Sequence, residues 1–529
     1  MISRDQILNA VDDANTQPKA GKPWLEIRGN EIYILSPLYR LYISKCNYVF
    51  LWSIDGFAVD KLHRATAVVL ALCNGKRTVE EIVKMTRPLV KSNDDAKAIE
   101  IANDKVKFII YTMRQTRKEY IKQHSRVRSK YPAAEALIAK EEYLKLFNGK
   151  KFKTVEYQAK AFLPKDASEM VISPPFNQHE AIPLILFWHF TSECSTDCRY
   201  CYLGRRRVML LPKGRVLSLI EEAADLGVLI IRIVGGDFLM YPYLRDVLAA
   251  LEKHSFLPSA ISTKSYLSKE KAKVLAESAA VTSLQFSIDS TVDDVADYLV
   301  DEKSFCNRIF KSIENALEAG LCVETKTVVT PYNILTIPKL YRDLKKRGVN
   351  IIRLTTYGRS GFHHSDDLFN HVASFQWLEK QLKQLQEEFP DDLVHIQNGG
   401  PNIDPLSPEA SQKAWLEKSP CSAGRTMMMI CADGKVIPCE QMPETEEHIC
   451  GDLSHESIKE VWDGSRLRDM TYGVPRVKFS GTACINCAKW EDCIRQKGNC
   501  IRDLVIHYGN MYQPAMNCPQ STLPFVRQR

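Results

Sequence analysis

The sequence predicts an α/β protein in which strands and helices alternate through the centre of the chain, between a small strand-and-helix module and a cysteine-rich end. Three observations predict this. Short apolar runs such as Ile182-Pro183-Leu184-Ile185-Leu186-Phe187-Trp188-His189 and Val228–Val234 have the length and composition of buried strands. Helical segments separate later runs of this kind, at Lys269–Ser278, Cys306–Ala319 and Pro338–Lys346. The sixteen cysteines gather mainly in two fields, which favours bound metal in a reducing compartment over a disulfide framework.

Size and composition narrow the class. At 529 residues the chain exceeds one core, and about three to four units are expected. A composition 45% hydrophobic and 26% charged excludes a largely disordered chain. No apolar stretch reaches the ~18 residues needed to span a bilayer, and Met1-Ile2-Ser3-Arg4-Asp5-Gln6 lacks a signal-peptide core, so a cytoplasmic location and no membrane partner are expected. The net charge of +7 is mild for this length and does not argue for nucleic acid.

Residues 20–125 form the first module. Strand signals lie in Pro23–Arg28, Glu31–Leu35 and Tyr48–Trp52, with Gly29-Asn30 as a turn pair. Ala65–Cys73 has helical periodicity, and Asn74-Gly75 is its expected C-cap. Thr78 and Glu81 stand at capping-box spacing, and a long helical stretch runs from Asp94 to about His124. Strands followed by three helices describe a winged-helix module. Its helices carry both charge signs and no basic stripe, which weighs against DNA. The segment Arg64–Ile82 resembles the peptide-recognition element of ribosomally made peptide pathways. That resemblance implies a leader peptide added as a strand at the sheet edge, with main-chain bonds supplying affinity.

Residues 126–181 turn basic and irregular, with Pro132, Pro164, Pro174, Pro175 and the run Lys150-Lys151-Phe152-Lys153. They read as a bridge with some helix over Ala133–Phe147.

The central segment, 182–400, carries the chemistry. Directly after its first strand come Cys194, Cys198 and Cys201, in a loop at the strand's C-terminal end, where α/β barrels place their sites. Three thiolates offered to four irons leave one iron without a protein ligand. The strand Val228–Val234 ends at Gly235-Gly236-Asp237, where two glycines permit close backbone approach and a carboxylate can accept from an ammonium. Further strands are Ser259–Lys264, Ser283–Ser290, Val323–Val329 and Asn350–Leu354. His363-His364 with Asp366-Asp367 reads as a solvent loop, and Arg205-Arg206-Arg207 as a solvated helix start.

The cysteine triplet, with Tyr200 before its third member, resembles the signature of the radical S-adenosylmethionine (SAM) enzymes. The resemblance implies a partial (β/α)6 TIM-type barrel, a [4Fe–4S] cluster on Cys194, Cys198 and Cys201, and SAM chelated by the open iron and cleaved to a 5′-deoxyadenosyl radical. Gly235, Gly236 and Asp237 then match the family's Gly-Gly-Glu motif, which holds the SAM amino group, with Asp237 one methylene shorter. By the same resemblance Ser287 and Asp289 are candidates for ribose contacts, and Lys326 and Arg353 for the SAM carboxylate. Polar residues at strand ends also simply cap helices and finish strands.

In the last segment, 401–529, Cys421 precedes a hairpin, Met427–Pro438, turned at Asp433-Gly434 and leading to Cys439. Cys484, Cys487, Cys493, Cys500 and Cys518 follow. The pair Cys484 and Cys487 also suits zinc, but seven cysteines nearly suffice for two four-iron clusters. The pattern resembles the SPASM extension of radical SAM peptide-modifying enzymes. By that resemblance Cys421, Cys439 and Cys500 hold one auxiliary cluster, with Cys431 and Cys450 as spare ligands, and Cys484, Cys487, Cys493 and Cys518 hold the other. Six residues separate Cys493 from Cys500, where the family usually has three. Glu440 matches the place of a catalytic acidic residue in sulfatase-maturing relatives, and otherwise reads as an exposed loop glutamate. Cys46, Cys73, Cys306 and Cys322 read as core thiols.

The resemblances together imply a maturase of a ribosomally synthesised precursor peptide that installs a thioether, carbon–carbon or carbon–oxygen cross-link, with a flavodoxin or ferredoxin as electron donor. The enzyme alternative is side-chain oxidation of a protein substrate, which needs Glu440. An iron–sulfur winged-helix DNA-binding regulator is the non-enzyme alternative, and it leaves the Gly235-Gly236-Asp237 strand end unexplained.

Overall fold

The computed structural model describes residues 23–36, 39–43, 49–53, 59–90, 92–124, 136–147, 157–162, 179–203, 209–358, 363–390, 392, 394–397, 421–515, 518 and 520. Expectations for Cys46, Tyr48, Pro132, Lys150–Lys153, Pro164, Pro174, Pro175, Arg205–Arg207 and Gly399–Pro401 lie outside the described residues. The chain divides into two units, Met1–Ser173 and Pro174–Arg529. No helix among the described residues is long and apolar enough to cross a membrane.

The first unit contains strands β1 (Ile32–Leu35), β2 (Tyr39–Ile43), β3 (Val49–Ser53), β4 (Val59–Leu62), β5 (Asn74–Thr78) and β6 (Leu137–Ala139). They form two antiparallel three-stranded sheets, β5-β1-β6 and β2-β3-β4. Helices Arg64–Leu72, Val79–Thr86 and Asp95–His124 accompany them. Leu51, Leu70, Ile82, Ile110 and Leu137 lie in one core. Thr78 and Glu81 form the expected capping box, with Thr78 N–H donating to Glu81 Oε2 at 2.8 Å.

Three local expectations differ from the structure. Pro23–Glu26 is a short 3-10 helix rather than a strand, because the Trp24 indole is anchored on the long helix, donating to Asp104 at 2.8 Å and packing edge-on to Phe108. Asn74-Gly75 begins β5 rather than ending as a cap, and Cys73 caps the helix. Gly75 has φ +77°, and a Cβ there would lie 2.8 Å from Ile34 of β1. The bridge expected at 126–181 supplies β6, whose buried Leu137 and Ile138 pair with β1 before the helix Lys140–Phe147. Sheet pairing of an apolar pair wins there over helical periodicity.

The second unit opens with six βα units in chain order. The strands are β7 (Ile185–His189), β8 (Ile230–Val234), β9 (Ser259–Thr263), β10 (Val281–Ser287), β11 (Val323–Val329) and β12 (Ile351–Thr356). Helices Lys213–Leu226, Leu244–Lys253, Lys269–Glu277, Phe305–Glu318, Ile337–Lys346 and Val372–Glu388 lie after them in turn. All strand pairs in this series are parallel, and a short strand β13 (Ile396–Gln397) joins β12. The Leu257 N–H to Leu229 carbonyl bond links the β7-β8 piece to the β9–β12 piece. Outward aliphatic residues pack on the helices, with Leu219, Ile231, Leu284, Ile309 and Leu340 in one large core.

The cysteine-rich end completes this sheet. Strand β14 (Met427–Ile430) lies parallel to β7, and β15 (Lys435–Ile437) and β16 (Gly451–Asp452) extend it, giving the order β16-β15-β14-β7-β8. The hairpin expected at Asp433-Gly434 is present, with Gly434 at φ +90°.

Candidate active site and auxiliary cysteine groups

The loop after β7 is tied down along its length. Asp197 and Arg199 donate their backbone N–H groups to Val300 and Leu299, and Cys201 N–H closes a turn on the Cys198 carbonyl at 3.0 Å. The Arg199 guanidinium lies over the Tyr298 ring, 4.1 Å from its centroid. Cys194 is exposed, Cys198 buried and Cys201 between the two.

The glycine pair at the end of β8 serves this loop. Gly236 and Asp237 donate their N–H groups to the carbonyls of Thr191 and Glu193. A Cβ at Gly236 would lie 2.5 Å from Glu193 O, and one at Gly235 (φ +102°) would lie 2.3 Å from the His189 ring. Asp237 differs from expectation. Its carboxylate is buried and accepts from Leu239 N–H, the Thr263 hydroxyl, Lys264 N–H at 2.8 Å and Ser265 N–H at 2.8 Å. Those four protein donors fill the carboxylate, so Asp237 fixes the loop after β9 rather than reaching for a ligand ammonium.

That loop delivers a residue the sequence did not single out. Lys264 donates from Nζ to Cys198 Sγ at 3.0 Å and to the Tyr200 hydroxyl at 2.6 Å. Burial disfavours its charge, but the Cys198 and Asp289 anions more than offset that and raise its pKa. Asp289 is buried and accepts from Tyr200 OH and, at 2.8 Å, from Val328 N–H, so this ribose candidate is also engaged by protein. Ser287 is half-buried on β10, opposite Lys326 in register.

Inside the barrel, Arg353 pairs with Glu324 at 2.8 Å. Lys326 is half-buried, its pKa lowered by burial against the opposing pull of Glu440, with Arg353 adding to the lowering. Glu440 is half-buried, not an exposed loop residue. Burial raises its pKa, while His189, Lys326, Arg232 and Arg502 pull it down. His189 is buried, with Nδ1 3.2 Å from Glu444 and Nε2 without a hydrogen-bond partner among the described residues. Desolvation raises the pKa of Tyr202, and Glu440, Cys201, Cys439 and Cys194 add to it, while the end of β15 itself lies level with Phe187 of β7.

The remaining cysteines fall into two neighbourhoods. Burial pushes Cys439 up to about 12, with Cys421 adding to it, and burial also raises Cys500, again with Cys421 as a neighbour. Cys484 is pushed up to about 11 by burial and by Cys518, Cys493 and Cys487. The unusual spacing between Cys493 and Cys500 is taken up by a π-helical turn, Glu491–Lys497, and by Gly498 at φ +72°. Arg425, almost wholly buried, staples this turn to the Cys421 segment, donating to the Arg495 carbonyl at 2.8 Å and to the Ile494 and Cys421 carbonyls. Cys431 and Cys450 are both buried. Cys431 neighbours Glu444, Asp433 and Cys450, while Cys450 Sγ faces the His448 carbonyl and Met470. His364 sits between the Tyr357 hydroxyl and Asp366. Cys73, Cys306 and Cys322 are buried in cores, as expected.

Residues 188–355 match the Radical SAM superfamily, and residues 421–489 match the SPASM iron–sulfur cluster-binding domain. The chain carries a radical SAM domain and a SPASM domain. The PqqA peptide cyclase of Gluconobacter oxydans is 21% identical over 325 residues, 60% of this chain and 85% of that protein. The mycofactocin maturase MftC of Mycobacterium ulcerans is 24% identical over 329 residues, 60% of this chain and 83% of that one. Streptococcus suis SuiB, solved with its precursor peptide SuiA, has the same fold, with a TM-score of 0.57 at 15% identity over 94% of this chain and 100% of SuiB.

The radical SAM and SPASM domains imply [4Fe–4S] clusters and SAM. The residues fit that implication. Soft sulfur donors occur in three groups, and soft thiolates suit iron–sulfur clusters. A cation, Lys264, stands at the sulfur of the first group, where charge balance needs one. Among the described residues no three His, Cys, Asp or Glu side chains gather tightly enough for one metal ion. A four-iron cube spreads its ligands wider than a single ion does.

Proposed function

We propose that this protein is a radical SAM/SPASM maturase of a ribosomally synthesised precursor peptide, closing a thioether or other side-chain cross-link. The observation that carries this is the pairing of β14 with β7, which builds the hairpin leading to Cys439 and Glu440 into the barrel sheet, at the end of β7 opposite the Cys194–Cys201 loop. A substrate held inside the barrel lies between a radical source at one end and an auxiliary centre at the other. A peptide cyclase among the relatives and the precursor-bound SuiB support the choice of substrate.

With its cluster and SAM bound, the radical SAM site supplies a 5′-deoxyadenosyl radical that takes hydrogen from a substrate carbon. Cys194, Cys198 and Cys201 are the proposed ligands there. Cys421, Cys439 and Cys500 form the first auxiliary set, and Cys484, Cys487, Cys493 and Cys518 the second. Ser287, Lys326 and Arg353 line the barrel interior as proposed SAM contacts, and Gly235 and Gly236 hold the loop close. Glu440, with its raised pKa, takes the proton released as the cross-link closes, and the auxiliary centre would take the accompanying electron. The first unit, at residues of about 20–125, docks the leader by adding it to a sheet edge. A flavodoxin or ferredoxin is the proposed electron donor.

The test is anaerobic reconstitution of the full chain with SAM, reductant and the peptide encoded by a neighbouring short reading frame. The expected product lacks the mass of two hydrogens and, for a thioether, no longer alkylates at cysteine. An unchanged peptide alongside active SAM cleavage would overturn the peptide assignment.

A further inference from the structure

Lys264 follows directly on β9, and four independent contacts fix it. Its backbone N–H is held by Asp237 at 2.8 Å, and its carbonyl receives Arg308 Nη2 at 3.4 Å. Its ammonium donates to Tyr200 at 2.6 Å and to Cys198 Sγ at 3.0 Å. Only 13% of the side chain is exposed. The nearest carboxylate oxygen, on Asp289, lies farther away at 3.8 Å, and the Tyr200 hydroxyl donates to that oxygen. Tyr200 therefore satisfies Asp289 and presents its own lone pair to Lys264. The sulfur, not the carboxylate, is the group that the ammonium contacts directly.

We propose that Lys264 sets the reduction potential of the SAM-binding cluster through an N–H···S hydrogen bond to Cys198. This rests on the reading of Cys194, Cys198 and Cys201 as the ligands of that cluster. One-electron reduction adds negative charge to the cluster and its thiolates. A fixed cation at a ligating sulfur favours the reduced form, and low exposure keeps water from screening it. Lys264 thus makes the cluster easier to reduce. It acts through Cys198 as a positioning residue, and Asp237 fixes the backbone from which it reaches.

The measurement is an EPR-monitored redox titration of the reconstituted full chain, following the reduced-cluster signal that changes shape when SAM is added. Lys264→Met is expected to lower the midpoint by the equivalent of a tenfold change in the reduction equilibrium, about 59 mV for a one-electron couple. Lys264→Arg, which keeps the charge and a donor, is expected to stay near the wild-type value. If Lys264→Met assembles less iron, Lys264→Gln carries the same comparison. A neutral variant with a wild-type midpoint overturns the proposal. So does a variant with a wild-type midpoint and weakened SAM binding, which would give the ammonium to the carboxylate of SAM instead. A wild-type protein without any SAM-responsive signal, or a Cys198→Ala variant that retains it, would fail the cluster reading itself, a distinct result.

Discussion

Asp237 accepts the backbone N–H of Lys264 at 2.8 Å, so the end of one barrel strand fixes the start of the loop after the next. Replacing Asp237 by Asn turns an acceptor towards N–H groups into a donor. The expected cost is about 1–3 kcal/mol, read as a lower melting temperature with less iron in the first cluster. Asp237→Glu, although it restores the commoner family residue, is expected to lose these bonds rather than to tighten SAM. A Glu variant with wild-type stability and higher SAM affinity would show that the carboxylate faces the ligand.

Gly236 tests the contact between β8 and the cysteine loop. Gly236→Ala places a methyl group 2.5 Å from the Glu193 carbonyl, which must move. The loop carrying Cys194 is then displaced, while both auxiliary groups lie on other segments. Iron content should fall by roughly a third, with SAM cleavage lost. Wild-type cleavage by this variant would show that the contact tolerates slack.

The proton-accepting role proposed for Glu440 is separable from SAM cleavage. Glu440→Gln should retain 5′-deoxyadenosine formation without peptide and lose peptide turnover by roughly 10²-fold. Full turnover would remove Glu440 from the mechanism.

Asp452 and Lys435 tie β16 to β15 through a 2.6 Å ion pair. Burial alone would raise the Asp452 pKa, but hydrogen bonds from Lys435 and Ser454 outweigh it and hold the folded value at about 2. The folded pKa lies below the unfolded value of about 3.9, so its stabilisation is complete above that pH and disappears as pH falls through 2. Asp452→Asn should lower unfolding free energy by about 1 kcal/mol near neutral pH, because solvent screens the pair, and converge with wild type at the acid end. Parallel curves across that window would discount the pair.

The barrel was legible in the sequence because buried parallel strands are continuous apolar runs, and each predicted strand from Ile182 to Leu354 lies within a few residues of an observed one. The hairpin that leads to Cys439 was legible from its turn chemistry at Asp433-Gly434. What the sequence hid depends on register and side-chain direction. Asp237 reads as a ligand contact until its four donors from the protein are seen, and Lys264 reads as an ordinary polar strand end until it meets Cys198. Arg425 gave no signal at all, since two of its three carbonyl partners, on Ile494 and Arg495, lie 69 and 70 residues away in sequence. In the first unit, Pro23–Glu26 has strand-like composition, and only the Trp24 anchor on the long helix decides against it.

The parallel seam between β7 and β14 has a consequence for how the molecule is made. The first barrel strand leaves the ribosome with one flank open and stays so until the C-terminal hairpin has been synthesised. A bare strand flank invites pairing with other chains, so chains cut short before Met427 should clump rather than persist as smaller enzymes. The strand that introduces Cys194 has its second neighbour only once the hairpin after Met427 is in place, which couples completion of the first cysteine loop's support to synthesis of the SPASM segment.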